Sequence, residues 1–178
     1  MGCEDFPIPT GIQKKGECTT QKIPYKHRAT TQAALIASAG CGPLGAFFGA
    51  FDVAAIAGIW GTCLFAIAHD EGRNLNKNTA IDICKAALLG MGGYYAGCKL
   101  ATKAFLLIPF AGIFTAMGAS AVTNILFTYR FALTLCTIFA EQGRSLDFSN
   151  LADNIKAMFK GNGLVSDARD IVDIWLHG

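Results

Sequence analysis

Long stretches of the chain contain no Asp, Glu, Lys or Arg, among them residues 29–51, 53–68, 104–129 and 131–140. Within them apolar residues recur without strand-type alternation, and no hairpin turn signals coincide with them, so the pattern predicts an all-α fold. Gly40 and Pro43 close a first helix over about 29–40. A second runs over about 44–70 to a glycine cap at Gly72, and a third over about 78–107 with Asn76 or Asn78 as N-cap. A fourth starts after Pro109 and ends at Gly143, and two short helices follow over about 149–160 and 166–176. A span takes about 20 residues. The stretch 29–51 is long enough but is broken at Gly40-Cys41-Gly42-Pro43. That leaves only 104–129, trimmed by Pro109 to about 20, and a re-entrant or hairpin arrangement fits as well.

Residues 1–28 read differently. They are polar, hold Pro7, Pro9 and Pro24, and carry Lys14, Lys15, Lys22, Lys26 and Arg28. No apolar segment precedes a cleavage site, so the stretch reads as a basic extended arm ahead of a single helical domain over 29–178. Gly2 and Cys3 are candidate acylation sites, although Phe6 stands where the myristoylation pattern takes Ser or Thr.

The chain also repeats itself at an offset of 71. Gly72-Arg73-Asn74-Leu75 aligns with Gly143-Arg144-Ser145-Leu146, and Asp82, Lys85, Ala86 and Gly90 align with Asp153, Lys156, Ala157 and Gly161. Shared apolar composition does not place Arg, Asp and Lys in register, which points to tandem duplication. The predicted units, about 41–103 and 107–178, are helical hairpins: a long apolar helix, a Gly-Arg-x-Leu turn, then an amphipathic helix. In each turn Gly would take the left-handed conformation, Leu would pack back, and Arg would face the negative helix end. Asp70 and Glu141 lie three residues before each Arg, placed to pair with it. A lipid headgroup is the alternative ligand for the two Arg residues.

Composition narrows the setting. The 178 residues are 52% hydrophobic and 16% charged, with net charge +2. A soluble domain is about 25% charged, so a membrane protein or an oligomer with much hidden surface is expected. No segment is basic enough for nucleic acid. The seven cysteines include no Cys-x-x-Cys pair, and the five within apolar runs read as packing residues in a reducing compartment.

The pairs Gly45/Gly49, Gly93/Gly97 and Ala116/Ser120, each four apart, are candidates for close helix packing. Asp52 and Arg130 interrupt apolar runs and are the candidates for a polar path; alternatively Asp52 caps a helix starting at Val53 and Arg130 snorkels. His69, Asp70 and Glu71 are consecutive on a helix and point apart, so they do not form a metal site. No nucleophile motif is present, and neither catalysis nor a cofactor is expected. Asp167, Asp170 and Asp173 make an acidic row on the last helix, which suits docking on protein better than on anionic lipid.

The order Gly42-Pro43-Leu44-Gly45, a helix containing Asp52, and Ile108-Pro109-Phe110-Ala111-Gly112 before another helix resembles the helical membrane domain of YcjF-like proteins, which is found fused to Era-like GTPases. It is similar also to the helical regions of immunity-related GTPases. The resemblance covers about 33–160 and implies a membrane-associated module that works beside a GTPase or as a self-assembling scaffold. The chain has no Gly-x-x-x-x-Gly-Lys-Ser/Thr loop, so it is not itself the GTPase. The expectation is a non-enzymatic, membrane-associated helical protein that self-assembles through glycine-rich faces, as scaffold, membrane remodeller or GTPase partner. Its arm would lie in the cytoplasm by the positive-inside bias. The alternatives are a small channel or transporter and a soluble homo-oligomeric shell or ring.

Overall fold

The computed structural model describes residues 22–42, 49–90, 112–142, 150–158 and 164–177. All regular structure among them is helical: α1 (Tyr25–Gly40), α2 (Gly49–Asp70), α3 (Lys77–Gly90), α4 (Gly112–Gln142), α5 (Leu151–Met158) and α6 (Leu164–His177). The boundaries follow local chemistry. α1 starts four residues earlier than the uncharged stretch suggests, because Pro24 stands at its N-cap and offers its carbonyl to the His27 N–H at 2.9 Å. Residues 25–28 of the basic arm are therefore the first turn of a helix, not extended chain. α2 starts at Gly49, so Asp52 lies in the first turn instead of capping a helix at Val53.

The turn after α2 is a Schellman closure. Gly72 has φ +70°, its N–H donates to the His69 carbonyl, and the Arg73 N–H reaches back to the Ala68 carbonyl at 2.8 Å. Leu75 is buried beneath the turn. Asn76 then caps α3, its Oδ1 accepting the Asn78 N–H at 2.8 Å. α3 is described to Gly90, and residues 91–107 of the longer helix expected there lie outside the described residues, as does the turn at Gly143, Arg144 and Leu146.

The directions of the helices follow from their contacts. Ser38 of α1 and Gly42 just past its end meet Asn124 and Ala121 of α4, so α1 and α4 run antiparallel. His27, near the other end of α1, meets Glu71 just past α2, so α1 and α2 are antiparallel too. α2 and α4 are consequently parallel neighbours. α3 returns along α2, α5 lies against α3 and α4, and α6 covers parts of α4 and α1.

α2 and α4 are joined by one aromatic cluster. The Trp60 and Phe131 rings stack with centroids 4.3 Å apart and planes 9° from parallel, and Trp60 Nε1 donates to Thr128 Oγ1 at 3.0 Å. All three residues are buried. The stack anchors a core that includes Leu35, Ile56, Leu64, Ile67, Leu135 and Ile155.

Two glycines set helix spacing. A Cβ built on Gly61 would stand 2.8 Å from the Ile81 Cα, and one on Gly42 would stand 2.7 Å from the Ala121 Cα. Neither belongs to the spaced pairs picked out in the sequence. Of those, Ala116 and Ser120 are buried in α4, Gly49 opens α2, and Gly45, Gly93 and Gly97 lie outside the described residues. We expect Gly61→Val to lower stability by about 1–3 kcal/mol through forced separation of α2 and α3. Gly118→Ala, where the added methyl meets open space, should be neutral or stabilising by up to about 1 kcal/mol. Thermal or denaturant unfolding of the two variants checks both signs.

Candidate functional site

Ion pairs that join different elements form two clusters, one at the end of the bundle where α1 begins and one beneath α6. Glu71 binds Lys26 at 2.5 Å and accepts from His27 Nε2 at 2.8 Å. The Lys26 bond, then the His27 bond, hold the Glu71 carboxyl below its ordinary range. His27 is buried, and its Nδ1, with Asp70 Oδ2 3.6 Å away, has no hydrogen-bond partner. Asp70, expected beside Arg73, thus also faces α1.

The second cluster is the underside of α6. Arg130 Nε donates to Asp167 Oδ2 at 2.7 Å, the Tyr129 hydroxyl donates to Asp170 at 3.0 Å, and Arg28 meets Asp173 at 3.1 Å. The acidic row of α6 therefore docks on protein: every one of its three carboxylates takes a partner from α4 or α1. The Arg130 and Asp167 side chains are only 16% and 11% exposed, and Arg130 has a carboxylate beside it where the sequence suggested a polar path or a snorkelling cation. Nothing in the sequence paired these residues, because 37 positions separate them.

Elsewhere α1, α2 and α4 are apolar: residues 29–42, 53–68 and 112–129 carry no charge. Hydroxyls close onto their own helices toward both ends of the bundle: Thr31 onto the His27 carbonyl, Ser38 onto Leu35, Thr62 onto Gly58, Thr123 onto Ala119 and Thr137 onto Leu133. Cys63, Cys84 and Cys136 are buried and free, and burial, with Cys63 nearby, pushes the Cys84 thiol up. These three are packing residues, as their apolar surroundings in the sequence suggest.

Between α1 and α2 lies an open apolar cleft of about 560 Å³, lined by Ala33 and Ala37 on one side and Gly58, Ile59, Thr62 and Ala66 on the other. Gly2 and Cys3 lie outside the described residues. The chain matches no family model, no curated protein and no solved structure.

Two predictions follow from the charged clusters. Arg130→Met leaves Asp167 buried without its cation and should lower stability by about 2–4 kcal/mol, with recovery in Arg130→Met/Asp167→Leu, as denaturant titration of the single and double variants will read. Glu71, with its folded pKa depressed, stabilises the fold above the ordinary carboxylate value of about 4.3 and loses that contribution as pH falls through the lowered value. Glu71→Gln should therefore lower Tm near pH 7 and flatten the fall in Tm between about pH 5 and 3.

Proposed function

We propose that this chain is a non-enzymatic, membrane-associated helical protein that self-assembles, serving as a scaffold, a membrane remodeller or the partner of a GTPase. One observation carries the reading. The window Val53–Asp70 of α2 is apolar and long enough to cross a membrane, yet only 44% of it is buried in the fold, against 67% for Thr115–Glu141 of α4. The central helix of a soluble monomer would be covered; α2 instead keeps an apolar face for lipid or for another chain.

The internal duplication belongs to this reading, and burial supports it. At the offset of 71, Ile56/Phe127, Trp60/Phe131, Gly61/Ala132, Leu64/Leu135, Ile67/Ile138 and Ala68/Phe139 are buried in both units. The correspondence continues after the turn, with Ala80/Leu151 and Cys84/Ile155 buried and Asp82/Asp153 exposed. The units are then parallel hairpins, α2–α3 beside α4–α5. The carboxylate beside Arg130 favours a structural role for that residue over one in a conduction path. The arm ahead of α1 would face the cytoplasm, in a reducing compartment.

Alkaline carbonate extraction tests the proposal. The protein should remain in the membrane pellet. Release as a large soluble particle would overturn the membrane reading in favour of a closed shell or ring, and release as a monomer would overturn self-assembly as well.

A further inference from the structure

The two hairpins differ in how far they are covered. Six pairs, Val53/Asn124, Ala54/Ile125, Gly58/Tyr129, Thr62/Leu133, Phe65/Cys136 and Ala66/Thr137, are more covered in the second unit than in the first. The last four share one face. In the second unit α6 lies on that face, where Tyr129 and Arg130 bind Asp170 and Asp167. In the first unit the corresponding residues, Gly58 and Ile59, line the open α1–α2 cleft. The fold thus displays on α4 what fits this face, namely an amphipathic helix, and leaves the matching seat on α2 empty of any described residue.

The chemistry of the seat selects its occupant. Gly58 and Ile59 replace the polar pair Tyr129 and Arg130, so the acidic side of a helix such as α6 finds no partner there. Small side chains on both walls leave room for large apolar ones. The outer face of α6 offers them: Val172, Trp175 and Leu176 are 56%, 41% and 67% exposed, and with Ala168 they form an i, i+4, i+7, i+8 stripe. The stripe is about 12 Å long, within the roughly 16 Å from Ala55 to Ala66. Residues 1–21, with Glu4, Asp5, Lys14, Lys15 and Glu17, contain no comparable stripe.

We propose that two copies of this chain associate by seating Val172, Trp175 and Leu176 of α6 from one copy in the α1–α2 cleft of the other. The proposal rests on the self-assembly reading and gives it a specific surface. It also accounts for two features at once: an apolar cleft beside α2 and a tail helix with Val172, Trp175 and Leu176 exposed.

The test places a benzophenone amino acid at position 172 of the full chain in its native membrane or solubilised particle. Irradiation should give a dimer-sized adduct that maps to residues 30–37 or 55–66 of the second copy. Thr62→Trp, which fills the cleft, should reduce that adduct at least about tenfold, as losing one buried aromatic anchor commonly does. Trp175→Ala, a change at an exposed side chain that leaves the fold intact by circular dichroism, should reduce it equally. Adducts confined to lipid, to an acyl group or to the same chain would overturn the proposal, as would dimer adducts mapping elsewhere. Native mass separates the two levels: an oligomer with adducts elsewhere sinks this surface alone, whereas a monomer sinks self-assembly with it.

Discussion

The stack of Trp60 on Phe131 is the contact on which the arrangement of the other helices depends. It places the largest side chain of α2 flat against α4 and satisfies the one polar atom of the indole with the Thr128 hydroxyl. A buried indole N–H without an acceptor would cost about 1–3 kcal/mol, so the pair Trp60–Thr128 sets the sliding position of the two helices as well as their contact. With α2 and α4 parallel and in register, α3 and α5 are carried to the same side and lie against one another. α1, antiparallel to both, closes over them.

Ion pairs then fix how the elements meet. Lys26, His27, Arg28 and Arg130 each meet a carboxylate on another element, and hydroxyls toward both ends of the bundle turn back on their own carbonyls. The buried His27, with one ring nitrogen bonded and the other facing Asp70 at a distance, ties the start of α1 to the turn after α2.

Much of this was legible in the residues. The end of α2 and the cap of α3 follow from Gly72 and Asn76, whose local backbone preferences need no tertiary partner. The α6 acids read as protein-docking because an acidic face is ill suited to anionic lipid, and Asp167, Asp170 and Asp173 do dock on protein. Helix packing was less legible. Gly61 and Gly42 mark the closest backbone approaches, while the four-residue glycine and small-residue spacings drew attention to other positions. Spacing says that two small residues share a face, not which face meets a neighbour.

The sequence by itself determined that the described residues are helical, where α2 stops and α3 is capped, and that the chain resembles itself at an offset of 71. Those properties depend on local dihedral preference, capping and periodicity, which act over a few residues. Only the tertiary structure decided that Arg130 pairs with Asp167 and Glu71 with Lys26 and His27, that Trp60 lies on Phe131, and that one face of α2 is open while its counterpart on α4 is covered. Those are contacts between residues tens of positions apart. Many partners are chemically equivalent for each of them, and only the packing of the whole chain selects one.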